Sequence, residues 1–322
     1  TLARLLDDEG NEILPQRDIE YDNLVMALGS VSNDFNTPGV REHSYFLDSL
    51  KQAEQFHRAL INQFLRLNYV SENQAPLRVS IVGGGATGTE LAAQLHHVAN
   101  LANAYGMTSL SAKRLQLTII EAGSRILPAL PERIAASAKN ALQKIGVQVL
   151  ENTRVIRAEK VGFVTQDEHL IEADLMVWAA GIKAPDAVKE WGFETNKIQQ
   201  IMVNQQLQST VDQRIYVLGD CCACLQPDGR WVPPRAQSAH QMANTVYNNI
   251  LASMTGKPLE AYIYNDYGSL IHLSKYSTVG SLMGNLSNSS MFIEGHMARV
   301  VYNSLYSMHQ FAVNGYIKGA VG

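Results

Sequence analysis

The sequence predicts an α/β protein in which one domain is inserted into another, with a small α+β region at the C-terminal end. Strand and helix patterns alternate between residues 77 and 150, as in a parallel doubly wound sheet. Two similar strand ends, which close at Gly29 and Gly181, flank that region, so the chain leaves one domain and later returns to it. A chain of 322 residues is long enough for two domains with separate cores.

A strand, a long helix and a loop are predicted before residue 77. A polar turn, an apolar run and a closing glycine predict a strand that ends near Gly29. A long connecting helix is expected over residues 46–69, followed by a loop at 71–76. Its apolar side chains recur at helical spacing, at Leu47, Leu50, Phe56, Leu60, Ile61, Phe64 and Leu65.

The later elements follow from periodicity in the same way. Strands are expected at 77–82, 115–121, 147–150 and 215–219, and helices at 88–103, 132–145 and 236–254. From Tyr262 on, alternating segments rich in Gly and Ser predict a smaller antiparallel layer. Residues 296–311 predict an amphipathic helix whose apolar face carries Met297, Val300, Val301, Leu305, Met308 and Phe311.

The first predicted strand of the inserted domain leads directly into a glycine-rich turn. Residues Gly83-Gly84-Gly85-Ala86-Thr87-Gly88 satisfy the pattern G-x-G-x-x-G. The first glycine permits the tight turn, the second lets the backbone approach a diphosphate, and the third lets the next helix pack close to the strand. Because a strand precedes the turn and a helix follows it, the pattern indicates a dinucleotide site with the diphosphate at the helix N-terminus.

An acidic residue, Glu121, ends the next strand of the predicted sheet. A carboxylate at that place accepts hydrogen bonds from the adenosine ribose and repels a 2′-phosphate. The pattern therefore favours NAD over NADP, while Arg125 nearby keeps the NADP alternative open.

Charge and cysteine usage exclude other classes of function. The 26 Lys and Arg against 30 Asp and Glu give a net charge of -4, which argues against nucleic acid as a partner. The three cysteines, Cys221, Cys222 and Cys224, do not resemble a secreted disulfide framework and favour a reducing cytoplasm. Cys221 and Cys224 have the spacing of a redox pair, but we expect small buried residues rather than a redox or zinc site.

A second motif, Gly219-Asp220, follows a predicted strand without a break. Gly219, which has no side chain, lets a ligand come close to the backbone, and Asp220 can accept a hydrogen bond from a ribityl hydroxyl of a flavin. The alternative is that Asp220 is an ordinary turn residue without a ligand. The string resembles the second FAD-binding motif of flavoprotein reductases that bind two dinucleotides. The strand ends at Gly29 and Gly181 resemble the domain-crossing motif of the same enzymes.

Five strings together narrow the resemblance to one family. They resemble parts of the bacterial type II NADH dehydrogenases, which are non-proton-pumping NADH:quinone oxidoreductases of the pyridine nucleotide-disulfide oxidoreductase superfamily. The likeness extends over essentially the whole chain. The strings lie at Glu121–Pro131, Ala173–Asp186, Gly219–Cys221, Pro233–Gln241 and Gly280–Gly284.

The resemblance implies roles for individual residues. The residues implied to bind NADH are Gly83, Gly84, Gly85, Gly88, Glu90 and Glu121. The other residues implied to bind one of the two cofactors, NADH or FAD, are Ala180, Gly181, Gly219, Asp220, Ala236 and Gln237. Residues 236–241 match the A-Q-x-A-x-Q pattern on the quinone side of the family. This match makes Gln237 and Gln241 candidate catalytic residues, on one helical face beside the isoalloxazine.

Glu90 is the third candidate catalytic residue. It matches an acidic position that the family places near the nicotinamide and the flavin. A glutamate at the start of a helix also complements the helix dipole and caps free amides. Both interpretations stay open at the level of sequence.

The implied reaction has two half-steps: NADH passes a hydride to FAD, and two electrons then pass to a membrane quinone without proton pumping. The implied location is peripheral, on the cytoplasmic face of the bacterial inner membrane, where the amphipathic helix would insert. A homodimer is left open. The alternatives are a soluble NAD(P)H-dependent flavoprotein reductase with a disulfide, ferredoxin or peroxide acceptor, and a flavin-free NAD(H)-binding regulatory protein.

The implied domains follow the chain in five segments. Residues 1–46 are the remainder of the first half of the FAD domain, 47–76 a connecting helix and loop, and 77–195 a Rossmann-like NAD(H) domain. Residues 196–256 are the second half of the FAD domain, and 257–322 face the quinone and the membrane. The family's chains open with a G-x-G-x-x-G for FAD, which this sequence lacks. We therefore expect an incomplete FAD domain, a missing upstream segment and a truncated C-terminal region.

Overall fold

The computed structural model describes residues 2–69, 75–104, 114–273, 277–283, 290–294 and 304. By backbone contacts the chain divides into two compact units, each made of two separate stretches. The first unit comprises Thr1–Val31 and Lys183–Asn265, and the second Ser32–Ile182 and Asp266–Gly322. This arrangement agrees with the predicted insertion of one domain into another. The five segments named for cofactors and quinone divide the chain by function and stay a prediction.

The strands and helices are numbered along the chain. The helices are α1 (Val40–His43), α2 (Leu50–Tyr69), α3 (Ala86–Ala104), α4 (Glu132–Lys144) and α5 (Ala236–Met254), with 3-10 turns at Asp186–Trp191 and Gly219–Cys221. The strands are β1 (Leu5–Leu6), β2 (Glu12–Leu14), β3 (Leu24–Met26), β4 (Val31–Ser32), β5 (Leu77–Val82), β6 (Leu115–Ile120), β7 (Gln148–Leu150), β8 (Val155–Glu159), β9 (Gly162–Thr165), β10 (Leu170–Glu172), β11 (Leu175–Trp178), β12 (Ile182–Lys183), β13 (Ile201–Val203), β14 (Ile215–Val217), β15 (Cys222–Cys224), β16 (Gly268–Leu273), β17 (Ser277–Met283) and β18 (Ser290–Glu294).

The second unit is built on a four-stranded parallel sheet in the order β11-β5-β6-β7. Its strands are mostly buried apolar runs, as expected when both faces of a parallel sheet are covered. One face packs on α3 and α4, with Val79, Ile119, Ala92 and Leu142 in a common core. The predicted parallel sheet of a Rossmann-like α/β domain is therefore confirmed, with helices packed on one of its faces.

A second sheet, β8-β9-β10, is antiparallel. Its Phe163 is buried in one cluster with Trp178, Val82 and Ile120, which come from the parallel strands or lie next to them. This sheet has no clear signal in the sequence, because its strands have only five, four and three residues and give little periodicity.

Strands β16, β17 and β18 form an antiparallel meander, which confirms the predicted smaller layer. Ile271 and Leu273 of β16 are buried in the core formed with α3 and α4. The amphipathic helix predicted over 296–311 lies outside the described residues, apart from Ser304.

The first unit contains two parallel strand pairs, β3 with β14 and β13 with β15. Its core includes Tyr216, Val246 and Tyr262. The fully buried amide of Asn249 in α5 donates to the carbonyls of Gln206 and Glu260, which holds the segment after α5 against the unit.

Most predicted bounds agree with the structure to within a few residues. Helix α5 and strand β5 have the predicted bounds. The connecting helix begins at Leu50 rather than at residue 46, and the helix after the glycine turn begins at Ala86 rather than at Gly88. Strand β14 ends at Val217, because Gly219 opens a 3-10 turn with a φ of 75°.

Candidate functional site

The glycine turn between β5 and α3 requires glycine at its first and last positions. Gly83 has a φ of 111°, and a Cβ there would lie 2.5 Å from the Ala179 carbonyl oxygen. A Cβ at Gly88 would lie 2.0 Å from the carbonyl oxygen of Gly83. The predicted roles of these glycines, a tight turn and close packing of helix on strand, are confirmed by this geometry.

The two middle glycines face different surroundings. A Cβ at Gly84 would lie 2.7 Å from Cγ2 of Ile126, so this glycine is packed against its own unit. A Cβ at Gly85 would meet no atom within 4 Å. Because Gly85 stands open at the N-terminus of α3, this is where an anionic group can approach the backbone and benefit from the helix dipole.

The carboxylate of Glu121 lies at the end of β6 and holds the glycine turn. It accepts the main-chain N–H of Gly84 at 2.7 Å and that of Gly123 at 2.6 Å. Each carboxylate oxygen keeps a further lone-pair site, so these two bonds leave capacity for ribose hydroxyls. The ribose role was predicted from the sequence pattern, but the hydrogen bond to Gly84 was not, because it joins residues far apart in the chain.

Arg125 is held by its own loop. Its guanidinium donates to the carbonyl oxygens of Leu127, Leu130 and Pro128 at 2.9 to 3.2 Å. The Leu127 N–H in turn donates to the Gly84 carbonyl at 2.7 Å. The arginine that kept the NADP alternative open is thus engaged in shaping the loop beside the glycine turn.

The glycine turn and Glu121 line one cleft of the second unit, with a volume of about 530 Å³. Of the residues predicted to bind a cofactor, the cleft brings together Gly83, Gly85, Glu121, Ala180 and Gly181. It also includes residues that the sequence analysis did not identify, among them Phe35, Thr153, Arg154 and Trp178.

Glu90 lies in α3 and contacts the C-terminal strands. Its carboxylate accepts the main-chain N–H of His272 in β16 at 2.9 Å, and burial raises the pKa of this carboxyl. Because α3 begins at Ala86, Glu90 is not in the first turn, which was the predicted position. Its observed contact is a bond to a neighbouring strand rather than a helix cap.

The Gly219-Asp220 turn of the first unit presents a carboxylate. One oxygen of Asp220 accepts the Ser30 hydroxyl at 2.8 Å, and its main-chain carbonyl accepts the Gln200 amide at 2.8 Å. The space around the neighbouring Gly29 is open, since a Cβ there would meet no atom within 4 Å. A half-exposed carboxylate beside an open glycine fits the sugar-like hydroxyls of a flavin side chain.

The first turns of helix α5 pack against the Gly219-Asp220 turn. The main-chain N–H of Gly219 points to the Met242 sulfur at 3.3 Å, and a Cβ at Gly219 would lie 3.7 Å from the Ala239 methyl group. Ala236 is exposed, and Gln237 is half-buried. The predicted neighbourhood of Ala236 and Gln237 with Gly219 and Asp220 therefore has a structural basis.

Gln241, one turn after Gln237, forms a clamp with the main chain of Asn265. Its amide donates to the Asn265 carbonyl at 2.8 Å and accepts the Asn265 N–H at 3.0 Å. The sequence predicted that Gln237 and Gln241 share a helical face, which their spacing within α5 satisfies.

Cys221, Cys222 and Cys224 are free and buried. Burial raises the pKa of each thiol, to about 11 for Cys224. A raised pKa disfavours the thiolate that redox chemistry and metal binding require. The three side chains pack in the core of the first unit, as the sequence analysis favoured.

Comparison with known proteins agrees with this geometry. The family model for pyridine nucleotide-disulphide oxidoreductases matches residues 4–243. The chain is 42% identical over 98% of its length to the type II NADH:quinone oxidoreductase of Haemophilus influenzae, and spans 75% of that protein. The chain belongs to the type II NADH:quinone oxidoreductase family of pyridine nucleotide-disulphide oxidoreductases.

More distant members of the family match over much of the same region. The type II NADH:quinone oxidoreductase of Staphylococcus saprophyticus is 29% identical over 82% of this chain, which spans 66% of that relative, slightly under two thirds. The solved structure of NDH2 from Plasmodium falciparum in complex with NADH superposes with a TM-score of 0.80 at 19% identity. That match covers 94% of this chain and 76% of the other, and it confirms the fold.

In the part of the chain that the structure describes, no helix is both long enough and apolar enough to cross a bilayer.

Proposed function

We propose that the protein is a flavin-dependent NADH:quinone oxidoreductase, which takes two electrons from NADH and delivers them to a quinone without pumping protons. The observation that carries this proposal is the cleft of the second unit. There the glycine turn and Glu121 converge in a chain 42% identical to a type II NADH:quinone oxidoreductase.

The second unit holds NADH. The pyrophosphate lies against the open side of Gly85 at the N-terminus of α3, where main-chain N–H groups and the helix dipole favour an anion. The adenosine ribose donates to Glu121, whose position is fixed by its bonds to Gly84 and Gly123. Ala180 and Gly181 line the opposite strand end of the cleft, after β11.

The first unit contributes the residues for FAD. Asp220 accepts ribityl hydroxyls, Ser30 fixes one of its oxygens, and the open surroundings of Gly29 leave room for the cofactor. When bound, FAD supplies the redox chemistry by accepting a hydride from NADH and passing two electrons to quinone. The chain binds and orients both nucleotides, and this positioning is its main contribution to the rate.

Three side chains are proposed to act on the bound cofactors, Gln237 and Gln241 in the first unit and Glu90 in the second. Gln237 and Gln241 extend from the same face of α5, which begins at the Gly219 turn. Glu90 is a partly buried carboxyl with a raised pKa, able to hold a proton at pH values where an exposed glutamate is ionised.

The protein's location follows from the proposed substrate. Quinones of the respiratory chain dissolve in the bilayer, so the enzyme collects them at a membrane surface. We place it peripherally on the cytoplasmic face of the inner membrane, where NADH is available. Co-sedimentation with lipid vesicles tests this location, and analytical ultracentrifugation tests a homodimer.

The experiment that tests the function uses the full-length gene product. The expected result is a flavin absorbance spectrum that bleaches when NADH is added anaerobically and returns when a soluble quinone analogue is added. A spectrum that returns only with a disulfide, ferredoxin or peroxide identifies the soluble reductase instead. A protein that binds NADH but shows no flavin spectrum is the regulatory protein.

A matched pair of variants assigns the NADH site. Gly83→Ala places a methyl group against the Ala179 carbonyl and is expected to prevent bleaching by NADH while the flavin spectrum stays. Gly146→Asn is the control, because Gly146 also has a positive φ, 86°, but open surroundings outside the cleft. Equal bleaching in both variants contradicts the assignment of NADH to this cleft.

A further inference from the structure

Arg154 is an exposed arginine that lines the cleft of the second unit, in the segment between β7 and β8. Among the residues that the structure describes, its guanidinium has no hydrogen bond or ion pair. A guanidinium carries a permanent charge and five N–H donors. An arginine that lines a ligand cleft without a protein partner is therefore available to the ligand.

The neighbouring arginines are already engaged by protein groups. Arg125 donates to three main-chain carbonyls of its own loop. Arg157, three residues after Arg154, forms ion pairs with Glu159 and Glu168. Neither Arg125 nor Arg157 lines the cleft, whereas Arg154 does. The cation that meets the nucleotide is therefore not the arginine that the sequence indicated.

The main chain around Arg154 is held by hydrogen bonds on both sides. The N–H of Thr153 donates to the Glu121 carbonyl at 2.9 Å. The Arg154 carbonyl accepts the N–H of Gln166 at 2.8 Å. The backbone of Arg154 is thus joined to the residue whose carboxylate is assigned to the ribose, and only the side chain has to be ordered when a ligand binds.

The order of the strands indicates which part of NADH reaches Arg154. The parallel sheet has the order β11-β5-β6-β7. The glycine turn, which takes the pyrophosphate, follows β5, and Glu121, which takes the adenosine ribose, follows β6. The adenosine half therefore runs from β5 toward β7, and its base lies beyond Glu121 at the end of β7. Thr153 and Arg154 line the cleft at that end.

We propose that Arg154 stacks its guanidinium on the adenine of bound NADH and so contributes to the affinity for the dinucleotide. The proposal rests on the proposed function for the identity of the ligand. A guanidinium is planar and weakly hydrated, and it is attracted to the face of an aromatic ring. The adenine presents such a face at the place where Arg154 has no competing protein partner.

The competing role for an arginine at this place is to bind the 2′-phosphate of NADPH. The carboxylate of Glu121 argues against that role, because two main-chain N–H groups fix its negative charge at the ribose. A 2′-phosphate would be repelled there. An uncharged adenine is compatible with both the carboxylate and the guanidinium.

Three variants separate stacking from charge. Arg154→Ala removes the guanidinium, Arg154→Lys keeps the charge without the planar group, and Lys160→Ala removes one positive charge from the exposed turn between β8 and β9. The probe is ADP-ribose, titrated by calorimetry into the full-length protein. Its Kd is expected to rise about five- to tenfold in Arg154→Ala and about threefold in Arg154→Lys, and to stay unchanged in Lys160→Ala.

Two results of this titration overturn the proposal. An unchanged Kd in Arg154→Ala means that the guanidinium does not contact the base, and a rise confined to 2′-phospho-ADP-ribose identifies a phosphate contact instead. A Kd in Arg154→Lys equal to that of the wild type means that charge, and not stacking, supports binding.

Kinetics with a shorter donor test the same idea independently. Reduced nicotinamide mononucleotide lacks the adenosine half, so kcat/KM for this donor is expected to be equal in the wild type and Arg154→Ala. For NADH, the KM of Arg154→Ala rises while kcat stays. An equal loss with both donors would mean that Arg154 acts only on the fold, and the proposal fails. A wild type that binds ADP-ribose but reduces no quinone overturns the proposed function and leaves the inference standing.

Discussion

The carboxylate of Glu121 accepts the main-chain N–H of Gly84 at 2.7 Å, so the residue that receives the ribose also holds the phosphate-binding turn in place. The same carboxylate accepts the N–H of Gly123, at the start of the loop that contains Arg125. Recognition of the ribose and the shape of the turn are therefore coupled through one side chain.

This coupling predicts the effect of Glu121→Gln. The amide NH₂ cannot accept the N–H that an oxygen now accepts, and the hydrogen bonds lose their charge. We expect the free energy of unfolding to fall by about 1.5–3 kcal/mol and the KM for NADH to rise about tenfold. Discrimination against NADPH should also weaken, because the 2′-phosphate no longer meets a negative charge. Chemical denaturation and initial rates with both nucleotides provide the measurements.

The control for this change is Glu190→Gln, on an exposed 3-10 turn of the first unit. It should alter neither stability nor KM beyond experimental error. A Glu121→Gln variant as stable as the wild type, with an unchanged KM, would show that the two hydrogen bonds do not hold the turn.

A second prediction concerns Arg125→Lys, which keeps the charge but cannot satisfy three carbonyl acceptors at fixed angles. The loop should loosen, and with it the bond from Leu127 to Gly84. We expect kcat/KM to fall about three- to tenfold, and by the same factor for NADH and NADPH. Arg58→Lys, on the exposed face of α2, is the control. A loss confined to NADPH would instead identify Arg125 as a ligand of the 2′-phosphate.

The features predicted correctly from the sequence are those that depend on residues close together in the chain. The glycine turn, the bounds of β5 and the periodic helix α5 each depend on neighbouring residues, and each is found where the pattern indicates. Gly219 and Asp220 were identified in the same way, from a strand that runs directly into a glycine.

What the sequence could not predict depends on contacts between distant residues. The bond from Gly84 to Glu121 and the anchor from Trp178 to Asn33 join segments far apart in the chain, and no local pattern encodes them. Phe35 has no recognisable signal, because sequence propensity assigns a left-handed φ to glycine or asparagine and not to phenylalanine. Strands β8 to β10 are too short for their periodicity to be distinguished from a loop.

A third prediction concerns the reactivity of the cysteines. With a pKa of about 11 for Cys224 and higher-than-usual values for Cys221 and Cys222, only about one Cys224 thiol in a thousand is ionised at pH 8. We expect iodoacetamide to leave all three unmodified in the folded protein and to modify them rapidly in guanidinium chloride. Mass spectrometry of the cysteine-containing peptides measures the extent of modification. Rapid modification of Cys221 and Cys224 in the native state would revive the redox-pair interpretation.

The last prediction concerns Glu90, whose pKa burial raises above that of an exposed glutamate. Between the unfolded and the folded pKa, the folded state binds more protons than the unfolded state, so the contribution of Glu90 to stability falls as pH rises through that window. Below the window the contribution is fully present. Above the window, the buried negative charge carries its full cost.

Glu90→Gln removes this titration but keeps an oxygen that can accept the His272 N–H. We therefore expect the variant to gain stability relative to the wild type between pH 4.5 and pH 8, as measured by the free energy of unfolding in denaturant at each pH. Glu190→Gln, exposed to solvent, should give a difference from the wild type that is constant over the same range. If the difference for Glu90→Gln is also constant, the carboxyl is not desolvated in the folded protein, and its proposed capacity to hold a proton for the bound cofactor is lost with it.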